Sequence, residues 1–134
     1  MKIVKTAKPD DNQQKNMNIA IGKWGEEIAA KFLEEHGFEV LNKNERTPDG
    51  EIDIIAKKGV ELVFVEVKTR RNTRFSFPEE AVNDEKLDHL ESAAGWYLTR
   101  YPEYEDNWRL DVITVIGDPF TNKPRIDWFE NVTG

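Results

Sequence analysis

The chain has no cysteine and only two histidines, His36 and His89. Without thiols there is no disulfide, no thiolate zinc site and no cysteine nucleophile, and two imidazoles do not make a histidine-rich metal centre. Long apolar runs are missing as well. The longest, Leu62–Val65, falls far short of the roughly 20 residues a membrane-spanning helix needs, so no membrane partner is expected. The opening MKIVKTAKPDD carries no apolar signal core and reads as cytoplasmic. Positive charge is also scarce: 19 Lys and Arg stand against 26 Asp and Glu, a net charge of −7. Affinity for nucleic acid comes largely from neutralised phosphates, so any such affinity has to be local, modest and sensitive to salt.

What is present suffices for one real core: 134 residues, 38% hydrophobic and 34% charged. The charges are unevenly placed. Acids crowd residues 76–134, while Lys43, Arg46, Lys57, Lys58, Arg70, Arg71 and Arg74 gather near the middle. Residues 1–18 are polar, lack an apolar period and read as a flexible tail, with Asn16 or Asn18 free to cap the helix after it. Residues 19–134 then form a single domain.

The organising stretch is GEIDIIAKKGVELVFVEVKTR, residues 50–70. Strand alternation puts Glu51, Asp53 and Ile55 on one face of its first run, and Ile52, Ile54 and Ala56 on the other. In the second run Leu62, Phe64, Glu66 and Lys68 alternate with Val63, Val65 and Val67. Lys57-Lys58-Gly59 signals a turn, so an antiparallel hairpin is predicted. A two-residue loop sets Phe64 opposite Asp53, and a four-residue loop sets Glu66 there. In either register Asp53 and Glu66 share a face, roughly 5–8 Å apart at Cβ. Two carboxylates and an ammonium on one side of an apolar hairpin are costly to bury. One reading is a divalent-metal site, because Mg²⁺ takes one or two carboxylates plus waters and substrate phosphate oxygens. The other is an edge hairpin with a solvated charged face.

Before the hairpin, the spacing predicts a helix from about Ile19 to His36, stopped by Gly37. Trp24, Gly25, Ile28, Ala29, Phe32 and Leu33 fill one arc. Glu26 lies at the edge of that arc, while Glu27 and Glu34 point away. Gly22 and Gly25 weaken a helix, so close backbone packing is expected there. FEVLN, residues 38–42, reads as a strand, and Thr47-Pro48-Asp49-Gly50 as a turn. After the hairpin, Arg70, Arg71 and Arg74 with Phe75 and Phe77 make a basic loop suited to phosphates and an unpaired base. A second helix is predicted over about 84–101 with Asn83 as its cap, Lys86 on its border and Trp96 on its polar side. WRLDVITVI, residues 108–116, and residues 125–129 read as two final strands.

Several pieces in order resemble the YraN-like family of bacterial proteins, within the PD-(D/E)XK nuclease-like superfamily, and are similar to archaeal Holliday-junction resolvases. They are Gly22-x-x-Gly25-Glu26-x-x-Ala29, Gly50-Glu51-Ile52-Asp53, Val63-Phe64-Val65-Glu66-Val67-Lys68-x-Arg70, Ala81-Val82 with Lys86, and Arg109-x-Asp111-Val112. The resemblance implies an α/β restriction-endonuclease-like core, a mixed sheet flanked by helices in the order α-β-β-β-α-β-β. It implies a metal-dependent endonuclease acting on structured or branched nucleic acid, DNA ahead of RNA. Glu26, Asp53, Glu66 and Lys68 would be catalytic, with Asp53 and Glu66 holding Mg²⁺ or Mn²⁺. Arg70, Arg71, Arg74 and Lys86 would contact the nucleic acid, and Arg109 and Asp111 would form a structural ion pair. The acids around Lys86 depart from the family pattern. With the net charge, they keep open a non-catalytic binding module of the same fold. A homodimer is compatible with either reading.

Overall fold

The computed structural model describes residues 10–74, 78–120 and 122–133, apart from the side chains of 84–86. Its elements are α1 Asp11–Glu35, β1 Glu39–Thr47, β2 Gly50–Lys58, β3 Glu61–Arg70, α2 Asp84–Arg100, β4 Trp108–Ile116 and β5 Arg125–Phe129. Short 3₁₀ turns cover Pro78–Ala81 and Pro102–Tyr104. The order is the α-β-β-β-α-β-β succession expected of this α/β class. The five strands lie in the sheet in sequence order, antiparallel except for the parallel pair β3–β4. A parallel neighbour requires a crossover, and α2 supplies it.

β3 is the centre. Leu62, Val63, Phe64 and Val65 are all fully buried, because both faces of this strand are covered, and a doubly covered strand reads as a continuous apolar run. On one face α1 brings Ala29, Ala30 and Leu33 against Ile54, Ala56, Val63 and Val65. On the other, α2 brings Leu90, Ala94 and Tyr97 against Ile52, Ile55, Leu62 and Phe64. Trp96, expected on a polar face, is half-buried against this second layer, with the Arg100 guanidinium 4.9 Å from its ring centroid.

The β2–β3 hairpin adopts the register in which Ile54 faces Val65. Extended by one residue, it brings Asp53 level with Glu66, the arrangement predicted for a four-residue loop. The loop itself is shorter. Lys58 pairs with Glu61, and Gly59 and Val60 make the turn with Gly59 at φ +62°.

The strict alternation expected of β2 breaks. Ile52 and Ile55 pack toward α2, whereas Ile54 and Ala56 pack toward α1, and Asp53 and Glu51 reach Glu26 of α1. The break falls beside Asn44, which has a φ of +54° between the Lys43–Ile54 and Glu45–Ile52 pairs; the register itself shifts earlier in β1, between Val40 and Asn42. Asn is among the few side chains that adopt this left-handed conformation readily. β1 also runs on to Thr47, past the predicted end at Asn42. Thr47 Oγ1 then donates to the Gly50 carbonyl at 2.6 Å and closes the predicted turn.

α1 begins two turns before the predicted start, so residues 11–18 are helix rather than tail. Asp10 caps it. Its Oδ1 accepts the Gln13 N–H at 2.7 Å, and Gln13 Oε1 accepts the Asp10 N–H at 3.0 Å. That capping box outranks Asn16 or Asn18 because it satisfies two end groups at once. Residues 1–9 of the expected tail lie outside the described residues, as do Phe75 and Phe77.

Candidate functional site

Below Ile54 and Val65, β2 and β3 part, and the fork between them carries the chemistry. Asp53 sits at the fork because its carboxylate Oδ2 accepts the Val67 N–H at 2.8 Å, a backbone group the ladder no longer uses. Glu66 and Lys68 flank it from β3 and pair with each other at 2.9 Å, both mostly buried. Glu26 enters from α1. It comes close because Gly25 lets α1 lie directly on β3, where any Cβ at this position would collide with the Thr69 side chain. A Cβ at Gly22 would meet nothing within 4 Å, and this glycine lines open space instead. The close packing expected of both glycines therefore belongs to Gly25 alone.

These groups line one cavity of about 620 Å³ that includes Glu26, Asp53, Glu66, Lys68, Arg70 and Arg71. Its far wall is Gln14, Asn18 and Ile21, mostly on the helical turns whose polar sequence reads as a tail. All four residues expected to be catalytic therefore share a space.

Their spacing differs from a simple Asp53–Glu66 pair. Among the described residues, the one group of three carboxylates with oxygens within 4.8 Å of one another is Glu26, Glu51 and Asp53. Asn44 joins two of them. With its amide oriented to donate, Nδ2 lies 3.0 Å from Glu26 Oε2 and 2.9 Å from Glu51 Oε1. Asn44 escapes a reading of the sequence, because an isolated polar residue at the end of a weak strand pattern carries no motif. Its signal is conformational: an Asn beside an acid-bearing strand, available for a positive φ.

Burial raises the Glu26 carboxyl above its ordinary range. Asn44 opposes the rise and Glu51 adds to it. Burial also pushes Asp53 up to about 7, with the Val67 hydrogen bond opposing it and the charges of Glu26 and Glu66 adding to it. Buried acids held close together resist ionising together, and a cation among them relieves both the desolvation and the repulsion. The donor set is carboxylate oxygen throughout, which suits Mg²⁺ or Mn²⁺ and not a thiolate-preferring metal.

The basic residues divide. Arg70 and Arg71 line the cavity, and Arg46 lines an adjoining depression of about 530 Å³ with Lys23, Glu26, Asn44 and Glu51. Lys57 and Lys58 sit at the hairpin's other end, engaged by Glu39 at 3.8 Å and by the His36 carbonyl at 3.0 Å. Arg74 is exposed and does not line the cavity. The Lys86 side chain lies outside the described set.

Arg109 and Asp111 belong to a separate network. Asp111 is fully buried and accepts from Arg109 Nε at 3.1 Å, Trp128 Nε1 at 2.8 Å and the Asn131 N–H at 2.9 Å. Arg109 also reaches Glu61 and Glu130 at 2.9 and 3.1 Å. This ties β4 to β3 and to the C-terminal segment, as a structural ion pair should.

A mixed α/β sheet with acids at a strand fork, joined by a first-helix Glu and a Lys two residues beyond the second acid, defines a PD-(D/E)XK nuclease-like protein. The chain belongs to the uncharacterised protein family UPF0102, the YraN-like family, whose model matches residues 25–115. It is 44% identical over 100 residues to a UPF0102 protein of Syntrophomonas wolfei, covering 75% of this chain and 87% of that one. With a Caldicellulosiruptor bescii UPF0102 protein the identity is 40% over 114 residues, 83% and 95% of the two chains. A Beutenbergia cavernae relative is 44% identical over 97 residues, 72% of this chain and 82% of its own. Among the described residues, no helix is long and apolar enough to cross a membrane.

Proposed function

We propose that the protein is a metal-dependent phosphodiesterase that cuts structured nucleic acid at the β2–β3 fork. The observation that carries this is the shared cavity. Glu26, Asp53 and Glu66 line it with Lys68, Arg70 and Arg71, and Glu51, on the adjoining depression, has a carboxylate oxygen within 4.8 Å of those of Glu26 and Asp53. Asp53 belongs to both candidate ligand sets and would be the principal ligand, with Glu66 on one side and Glu26 and Glu51 on the other. A divalent ion bound there supplies the positive charge that polarises a phosphodiester and makes a water acidic enough to attack. Lys68, paired with Glu66 at 2.9 Å, would orient a water or counter charge developing on the phosphate. Arg70 and Arg71 would fix the flanking phosphates.

The net charge of −7 favours a second reading, a non-catalytic module of the same fold. Calorimetric titration with Mg²⁺ and Mn²⁺, followed by a cleavage screen over four-way junctions, flaps, single strands and RNA, separates the two. The enzyme reading expects binding that Asp53→Ala abolishes and cleavage that Lys68→Ala abolishes. Metal binding without cleavage of any substrate selects the module, and cleavage that survives in Lys68→Ala rejects the assigned centre.

A further inference from the structure

Beside the cavity lies a second hollow of about 380 Å³, and Ile21 and Arg71 line both. Its other walls include Met17 from α1 and Phe120 from the turn after β4. Phe120 is 93% exposed and Met17 40% exposed, the former an unusual position for a large apolar side chain. The turn is built: Asp118 Oδ1 accepts the Phe120 N–H at 2.9 Å.

From the fork outward the groove changes chemistry. The carboxylates Glu26, Asp53 and Glu66 stand with Lys68 and Arg70 in the cavity, Arg71 and Ile21 are shared with the second hollow, and Met17 and Phe120 complete its apolar ledge. A nucleic-acid strand presents matching groups, a reacting phosphate, a flanking phosphate and a base. In a duplex the base faces are stacked inside and the protein meets mainly phosphate and sugar. A phenyl ring offers a phosphate nothing, whereas it stacks on any base whose face is free.

We infer that Phe120 and Met17, with Arg71, form a stacking ledge for one unpaired nucleobase next to the cut site. The preferred substrates then carry an unpaired strand at the cleavage point. This rests on the phosphodiesterase reading for the meaning of "cut site", but base stacking itself needs no metal.

The test uses the full chain in EDTA with a short single-stranded DNA containing 2-aminopurine, beside a blunt duplex of the same sequence. The wild type should bind the single strand more tightly than the duplex and quench the aminopurine. Phe120→Trp should preserve both effects. Phe120→Ala should lose the quench and weaken single-strand binding by about tenfold or more. Because the ring is exposed, this substitution leaves the core untouched. The ledge is rejected if Phe120→Ala behaves as wild type, if single strand and duplex bind alike, or if the wild type binds neither. It is also rejected if sedimentation shows a wild-type dimer that Phe120→Ala dissolves, since the patch would then be a contact with a second copy. Mn²⁺ calorimetry on the same proteins reports on the metal site separately. Normal Mn²⁺ binding with no quench rejects the ledge alone, and quenching without Mn²⁺ binding rejects the metal reading alone.

Discussion

The Asp53 carboxylate and the Val67 amide meet at 2.8 Å where β2 and β3 part, so one hydrogen bond ends the ladder and fixes the central acid. The cost of burying that acid is readable as pH dependence. Its pKa stands at about 7 in the fold against about 3.9 unfolded. Between these values the folded state holds the proton that the unfolded chain releases, so stability falls as pH rises from about 4 to about 7 and is level above. Asp53→Asn keeps an acceptor for Val67 and removes the titration. In urea unfolding with EDTA, the variant should exceed wild type by on the order of 2–4 kcal/mol at pH 8 and by almost nothing at pH 4. Equal curves at pH 8 would contradict the burial of this acid.

Metal binding should run the other way. The ion competes with protons for Asp53 and Glu26, so uptake should release protons and tighten as pH rises from about 6 to about 8. Calorimetry in two buffers of different ionisation enthalpy measures that release. Chelation should leave the fold intact, because the two apolar layers do not involve the site.

The two α1 glycines should respond oppositely to alanine. Gly25→Ala drives a Cβ into Thr69 and should destabilise by about 1–3 kcal/mol, with Thr69→Gly restoring much of the loss in a double-mutant cycle. Gly22→Ala meets open space and should stabilise by about 0.5–1 kcal/mol through helix propensity. Thermal melts of these variants suffice.

Asn44 offers a way to separate backbone from side chain. Asn44→Gly retains the φ of +54° without strain but removes the amide that holds Glu26 and Glu51 together. Its melting temperature should stay close to wild type while Mn²⁺ affinity drops severalfold. An unchanged affinity would leave Asn44 with a backbone role alone.

Asp111→Ala removes the buried acceptor shared by Arg109, Trp128 Nε1 and the Asn131 N–H, while Arg109 keeps Glu61 and Glu130, and should cost about 3–5 kcal/mol. Mn²⁺ affinity at the fork should be unaffected at temperatures where the variant is folded. Loss of Mn²⁺ affinity in a folded variant would show that the two networks are coupled.

Much of this architecture is legible from residue pattern. The run Leu62–Val65 marks the central strand, Gly37 the end of α1, and residues 108–116 a further buried strand, because doubly covered strands and helix stops leave strong local signals. Glu26, Asp53, Glu66 and Lys68 stand out through their order along the chain. Three features are not legible. The first turns of α1 have no apolar face to announce them, and only the Asp10–Gln13 spacing gives them away. The break in β2 alternation falls beside the positive φ of Asn44, on a different strand. The third is the approach of Glu51 to Glu26: alternation already sets Glu51 on the Asp53 face as a possible outer ligand, but the Asn44 amide between Glu26 and Glu51 carries no motif.

Residues 11–20 of α1 are exposed along their whole length, yet Gln14 and Asn18 close one side of the cavity. Among the described residues that end is exposed and held by its cap and its own hydrogen bonds, so it opens at a smaller free-energy cost than the stretch from Gly25 to Leu33, which packs on the sheet. Amide exchange should accordingly be fast through Asn18 and slow at Ala29 and Leu33. Fraying of that end would change the width of the opening while the acids stay fixed.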